Sequence, residues 1–509
     1  MTDQPSTQPG TGVEIPPTAK STRRLTADRV TPRRPRIAFL GGGLAAYWDQ
    51  FPDLLPRLQR AAQTIRERLT GLGAEVADFG FASTAEDGAR IAIGVRESRP
   101  DLTVVFAATY MTSAQVLPVF RDGGAPVLLV CLQPTRSMDH ERFGTGDWLG
   151  YAGSAGLPEL CVALERIGQR PRSVTGYLDD DRAWAKIARY VRAASVVATL
   201  RHARFGLLGH LYPGMFDIAS NITSGFATYG GHVEILELDD LRAYYDSVGE
   251  DQVGTRLGEV EQAFTIEAGT DRENLRFQSR VSVALDALVA ERHLDTLSYF
   301  HLGNSDDIYS RLATGFPIGA TLLTSRGIPT ATEFELRAGV AMFITGLLGG
   351  GGTLTEGQAL DFDRGHVELG HNDAVDSTIT SAKPRLRSLA VFHGKSGGGA
   401  SVEASIRPGP VTQFSIGELG DGRLKFIASE GEAIAGPAIA IGNTTTRIDF
   451  GADPGDWTDA WSQSGSTHHW SMGAGHLAED LRVVADLLDV EFERVQPPGS
   501  GTTRATETS

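Results

Sequence analysis

Glu333 and Glu356 stand with His371 among small residues between Ala331 and Asn372, and a histidine pair, His468 and His469, follows near the C-terminus. Two carboxylates and two imidazoles form a mixed oxygen and nitrogen donor set that suits a divalent metal with open coordination positions. The same carboxylates supply an acid and a base for moving a proton between adjacent carbons. Taken singly, each residue has a plainer reading. Glu333, in Ile-Pro-Thr-Ala-Thr-Glu-Phe-Glu, precedes an apolar helix through Val340, Phe343, Ile344 and Leu347, where a carboxylate caps the first turn. Glu356 follows the run Gly349 to Gly352, which either lets backbone approach a ligand or joins two domains as a flexible linker. His371 ends Val367-Glu-Leu-Gly-His, and His468 and His469 lie in the polar turn Gly465-Ser-Thr-His-His-Trp. Their spacings match no short metal motif such as H-E-x-x-H. Only a fold that brings these residues together makes them a site.

The elements that must do so are legible as alternating strand and helix signals. Arg36-Ile-Ala-Phe-Leu-Gly reads as a buried strand, and Asp53 to Leu72 carries helical apolar spacing stopped by Gly73. Strand runs at Glu75, Asp101 and Pro126 continue the alternation, which predicts parallel βαβ units in a first α/β domain over residues 36–172. A second α/β domain is expected over 173–352, with a long helix from Ala183 to His202 and a strand leading into Glu333. Beyond Gly352 helical periodicity fades into short alternating runs. Gly420-Asp-Gly marks a hairpin, and only Ala474 to Leu488 reads as a helix. Residues 353–495 are therefore expected to form an antiparallel β-barrel-like domain. The Pro, Gly, Ser and Thr-rich ends, 1–35 and 496–509, read as a disordered leader and tail.

Other residues carry weaker signals. Gly41-Gly-Gly-Leu-Ala-Ala fits the dinucleotide pattern G-x-G-x-x-A, but Tyr47-Trp-Asp-Gln-Phe-Pro and Pro56 delay the helix that must follow. No acidic residue closes a second strand about twenty residues on. The stretch reads equally as an aromatic-covered turn and as a ligand loop offering Tyr47, Trp48 and Gln50 to a sugar. His210 and Asp217 follow a strand, as do Asn304, Ser305 and Asp306, while Glu335 and Arg337 are placed to orient Glu333.

The chain has 509 residues, 41% apolar and 22% charged, which suits two or three soluble globular domains. A net charge of −16 argues against nucleic-acid binding, and no apolar run is long enough to span a membrane. Two cysteines in apolar surroundings, Cys131 and Cys161, suggest buried thiols in a reducing compartment and a cytoplasmic enzyme.

The stretch Ile328 to Asp373, with the His-His turn, resembles the L-arabinose isomerase and L-fucose isomerase family, as a divergent member. Ala-Thr-Glu-Phe-Glu stands where the arabinose enzymes have Ala-Gly-Glu-Gly-Asp, and Gly352-Thr-Leu-Thr-Glu356 where they have Gly-Gly-Thr-Ser-Phe-Met before a glutamate. Phe362 then opens a Phe-acidic-basic-Gly stretch leading to Leu-Gly-His371, and Gly465-Ser-Thr-His-His looks like their Gly-Gly-Ala-His-His. The chain departs at Phe334, in a shorter Phe362 to His371 interval, and in its N-terminal loop. The resemblance implies a metal held by Glu333, Glu356, His371 and His469, with Mn²⁺ favoured and Co²⁺ or Mg²⁺ as alternatives. It further implies that Glu333 and Glu356 share acid and base roles through an enediol, that His468 touches substrate, and that a homotrimer or homohexamer acts on a monosaccharide. Two other classes compete: a noncatalytic sugar-binding or sensory protein, and an NAD-dependent oxidoreductase using the Gly41 loop.

Overall fold

The computed structural model describes residues 30–496 apart from 122–123, 303–306, 373, 389–390, 393–394 and 397–399. Most of the expected leader and tail, and the candidates Asn304, Ser305 and Asp306, lie outside the described residues. The inner end of the leader does not behave as one. The Arg33 N–H donates to Thr199 Oγ1 at 2.8 Å and Ser195 Oγ donates to the Arg33 carbonyl at 2.5 Å, so residues 30–35 run along the helix Asp181–His202.

Five apolar runs form the first sheet: β1 (Arg36–Gly42), β2 (Glu75–Ala82), β3 (Leu102–Ala107), β4 (Val127–Gln133) and β5 (Ser173–Tyr177). Their order is β2-β1-β3-β4-β5, parallel throughout. Every residue of β3 is buried, as a parallel strand covered on both faces must be. The helix Leu54–Gly71 accepts Pro56 in its first turn, where no backbone donor is required. At the glycine turn, a Cβ on Gly42 would meet Met111 Sδ at 1.9 Å and one on Gly43 the Trp48 ring at 2.7 Å. These glycines are accounted for by close packing against the protein's own side chains.

The second sheet comprises β6 (Arg204–Gly209), β7 (His232–Leu236), β8 (Thr296–Phe300) and β9 (Thr330–Thr332), in the parallel order β9-β8-β6-β7. The helix Leu336–Leu347 follows β9 and is almost wholly buried.

The C-terminal strands are β10 (Thr353–Asp361), β11 (His366–Gly370), β12 (Gly409–Glu418), β13 (Leu424–Ile434), β14 (Thr446–Asp449), β15 (Trp470–Ala474) and β16 (Glu491–Arg494). Pairing runs β12-β15-β10-β11-β14-β13, and β13 closes on β12 to make a six-stranded antiparallel barrel with β16 added in parallel to β13. The Gly420-Asp-Gly turn joins β12 to β13 as expected, with the Gly422 N–H on the Leu419 carbonyl.

Two local expectations fail. Ala474 ends a strand, and the last helix begins at Ala478. A second helix, Pro454–Gln463, lies in the β-rich region and seats Trp457 on Phe450 (ring centroids 3.8 Å apart) and beside Trp461. The strand Thr265–Ile266, from the central segment, also pairs with Arg385–Ser388. One hydrophobic core runs through the first sheet, the helices Asp181–His202 and Leu336–Leu347, and β12 and β13. A separate buried cluster of Ala331, Ala338, Met342 and Leu354 packs β9, the helix Leu336–Leu347 and β10 together, so the Glu333 and Glu356 strands do not meet across a flexible joint.

Cys131 is buried, whereas Cys161 is only partly so. Among the described residues, no helix is long and apolar enough to cross a membrane.

Candidate metal centre

Register on three neighbouring barrel strands assembles most of the site. Glu356 on β10 sits opposite Gly370 of β11, whose next residue is His371. On the other side of β10, Thr355 pairs with Trp470 of β15, whose preceding residue is His469. Side chains alternate along a strand, so Thr355 turns to Gln413 and Trp470 inside the barrel while Glu356 faces the opposite way. The glycine run before β10 is no linker. A Cβ on Gly352 would meet the Met342 carbonyl at 2.7 Å, and the Gly352 N–H donates to buried Asp376. Gly370 is needed for a still closer approach, since its Cβ would lie 1.8 Å from the Thr444 carbonyl. That contact lets Thr444 Oγ1 accept from the His371 N–H at 2.9 Å.

Glu333 arrives from the carboxyl end of β9. It is not the helix cap: Glu335 occupies that position and its side chain makes no cap bond. Instead Glu333 and Phe334 adopt left-handed backbone, at φ 63° and 66°, a conformation that costs non-glycine residues about 1–2 kcal/mol each. The turn is pinned by the Phe334 N–H on the Tyr299 carbonyl (3.1 Å) and by Ser298 Oγ on the Glu335 carbonyl (2.9 Å). It sends Glu333 into the cluster and Glu335 beneath it.

The hydrogen bonds decide what the cluster can hold. His469 Nδ1 lies 2.6 Å from Glu335 Oε2, and His371 Nδ1 lies 2.6 Å from the Asn372 carbonyl. An oxygen acceptor at Nδ1 places the proton there, so both Nε2 atoms present lone pairs. Those two Nε2 atoms face each other at 3.2 Å. Glu333 Oε2 stands 3.3 Å from His469 Nε2 and is buried with no hydrogen-bond partner among the described residues. His469 thus meets an electron-pair donor on each of two sides, His371 and Glu333, a crowding that a divalent cation relieves. Glu356, His371 and His469 offer ligand atoms within 4.8 Å of one another, as do Glu333, His468 and His469. The donor set fits a metal.

Burial also sets the protonation. It pushes His469 down to about 3, with the neighbouring His468 adding to the effect, so the ring stays neutral as a ligand must be. Burial lifts Glu333 to about 7, Glu335 to about 8, and Glu356 upward. Burial works against a charge on His468, but the Asp217 carboxylate outweighs it and raises the ring.

These shifts fix a sign. Above pH 6.5 the unfolded chain has lost the carboxyl protons that folded Glu333 and Glu335 still hold, so stability falls as pH rises toward 8. The metal-free protein should lose on the order of 1–2 kcal/mol over that window, as a falling melting temperature. Saturating Mn²⁺ should remove the share of the slope that Glu333 contributes and leave that of Glu335, and a flat metal-free profile would contradict the assignment. A second expectation concerns Gly370: alanine there should cost about 1–3 kcal/mol through overpacking against Thr444 and weaken metal retention by displacing His371. Urea unfolding and metal analysis read both effects.

The structure gathers Glu333, Glu356, His371, His468 and His469. Tyr47, Trp48 and Gln50 remain on a short helix beyond β1, with Trp48 Nε1 donating to Ser83 at 3.1 Å, and no described contact joins them to the cluster. Glu335 was expected to orient Glu333; it orients His469. Asp217, a weak candidate by sequence, accepts from His468 Nδ1 at 2.7 Å.

No family model matches the chain. Among curated proteins it is similar to the L-arabinose isomerase of Nocardioides sp., 23% identical over 358 residues spanning 66% of this chain and 68% of that one. The L-arabinose isomerase of Geobacillus kaustophilus is 22% identical over 340 residues, 64% and 67% of the two chains. The sulfoquinovose isomerase of Priestia aryabhattai is 22% identical over 322 residues, 62% and 70%. The chain is arabinose isomerase-like. The residues that carry the sequence resemblance, Glu333, Glu356, His371 and the His468–His469 pair, are those that cluster in the fold.

Proposed function

We propose that this chain is a metal-dependent aldose–ketose isomerase acting on a monosaccharide. The observation that carries the reading is that His469 Nε2, with Nδ1 committed to Glu335, lies 3.2 Å from His371 Nε2 and 3.3 Å from Glu333 Oε2, and relatives named as sugar isomerases support it. Glu333, Glu356, His371 and His469 would hold the ion, Mn²⁺ by preference, with Co²⁺ or Mg²⁺ as alternatives. When bound, the ion polarises the sugar carbonyl and stabilises charge developing on its oxygen.

The chain's own residues move the protons. One carboxylate removes the proton from C2 of the aldose and returns it to C1, while the other carries the hydroxyl proton from O2 to O1, through an enediol. No atom is gained or lost. Glu333 Oε2, buried and without a hydrogen-bond partner among the described residues, is an oxygen left available for such a transfer. Glu335 keeps His469 oriented from beneath. A homotrimer or homohexamer would let a second copy's Tyr47, Trp48 and Gln50 cover the cleft, giving those residues a use.

The test is a screen of aldopentoses, 6-deoxyhexoses and sulfoquinovose with Mn²⁺-loaded protein. Metal-dependent ketose formation is expected from one of them. Protein that binds sugar equally well without metal and forms no ketose would instead be a noncatalytic binder.

A further inference from the structure

Asp217 closes the segment that leaves β6, Gly209-His-Leu-Tyr-Pro-Gly-Met-Phe-Asp, and it reaches the His-His turn at His468, as Glu335 does at His469. A single carboxylate oxygen, Oδ2, accepts two hydrogen bonds from one residue: the His468 backbone N–H at 3.0 Å and ring Nδ1 at 2.7 Å. It fixes the height of the turn and the rotation of the ring together. Asp217 is itself held in place. The guanidinium of buried Arg337, on the helix that follows Glu333, donates to the Asp217 carbonyl. The same guanidinium lies 3.8 Å from Glu418 Oε2, which accepts from the Asn221 N–H at 3.3 Å. The segment is thereby tied to β12 at one end and to the Glu333 turn at the other.

With Nδ1 committed, His468 presents only Nε2 to the cleft, 3.9 Å from Glu333 Oε2. That gap is too long for a direct hydrogen bond. It accommodates one oxygen about 2.8 Å from each atom. Unlike His469, His468 is partly exposed, as a group that meets a substrate must be. We propose that Asp217 is a positioning residue, holding His468 so that Nε2 and Glu333 Oε2 grip the same sugar oxygen. The proposal rests on the isomerase reading above.

A double-mutant cycle with Asp217→Ala and His468→Gln tests it, with Asp217→Asn as the conservative variant. Asp217→Ala should lower kcat about 10- to 100-fold with bound Mn²⁺ per chain unchanged, because among the described residues the Asp217 carboxylate hydrogen-bonds to His468 and to none of the four proposed ligands. The double variant should be no slower than His468→Gln alone, and Asp217→Asn, which keeps an oxygen acceptor, should recover most of the loss. Additive effects, or Asp217→Ala with wild-type kcat, would overturn the proposal. The ¹⁵N resonances of the His468 ring, assigned by their loss in His468→Gln, report on the contact without any substrate. They should move in Asp217→Ala and hold in Asp217→Asn, and an unmoved ring overturns the proposal even if wild-type protein isomerises no sugar. Inactive wild-type protein, by contrast, removes the isomerase reading and leaves the ring measurement to decide the role of Asp217.

Discussion

Replacing Glu333 with glutamine should lower turnover about 100- to 10,000-fold while the fold survives. Glutamine keeps the volume and the two left-handed residues of the turn, so the backbone at Glu333 and Phe334 is unchanged. What changes is the chemistry of one buried oxygen. Glu333 Oε2 has no hydrogen-bond partner among the described residues and lies 3.3 Å from the His469 lone pair. An amide at that position donates to His469 Nε2, occupying a lone pair the metal requires, and it neither accepts nor releases a proton. Bound metal should fall with activity. Metal-free Glu333→Gln should be at least as stable as the parent, since burial already opposes charge on Glu333. Steady-state rates, metal analysis and melting temperature separate these effects. Turnover within a few-fold of the parent would remove Glu333 from the chemistry.

Glu335→Leu should weaken Mn²⁺ binding about 10- to 100-fold, although Glu335 is not proposed to touch the ion. Its carboxylate is fully buried and accepts from His469 Nδ1 at 2.6 Å. Leucine removes the acceptor that selects the His469 tautomer and leaves a buried N–H unpaired, at about 1–3 kcal/mol. Glutamine at 335 retains an oxygen acceptor and should keep most of the affinity. Titration of metal-stripped protein followed by the manganese EPR signal reads the affinity directly. Equal affinities for parent and Glu335→Leu would show that His469 needs no partner.

Much of this was legible in the sequence. The alternating apolar runs led to the two parallel sheets, and the short alternating segments after Gly352 led to the barrel. The order and flanking residues of Glu333, Glu356, His371 and His469 pointed to a shared ion through their resemblance to the isomerase family, and the fold brings the last three together on neighbouring strands or at their ends. Other features were hidden for physical reasons. The split between Glu333 and Glu335 depends on left-handed backbone at Glu333 and Phe334, and no glycine announces it. The Asp217 contact joins residues 251 positions apart, from the loop after β6 to the turn before β15, stretches with unrelated periodicity. The run Gly349 to Gly352 looked like a flexible joint, yet its Gly352 is set by close packing on the helix Leu336–Leu347. Pro454-Gly-Asp has the composition of a turn, although Pro454 and Asp456 occupy the first turn of a helix capped by Asp453.

If one ion held by Glu333, Glu356, His371 and His469 makes this chain an aldose–ketose isomerase, its activity must follow the occupancy of that site. Titrating Mn²⁺ into metal-stripped protein, while following ketose formation from the sugar that the screen selects, measures both together. Activity should be absent without metal, rise in proportion to added Mn²⁺, and level off at one ion per chain. Ketose formed at the same rate in the stripped protein, or no ion retained at one equivalent, would contradict a metal-dependent isomerase.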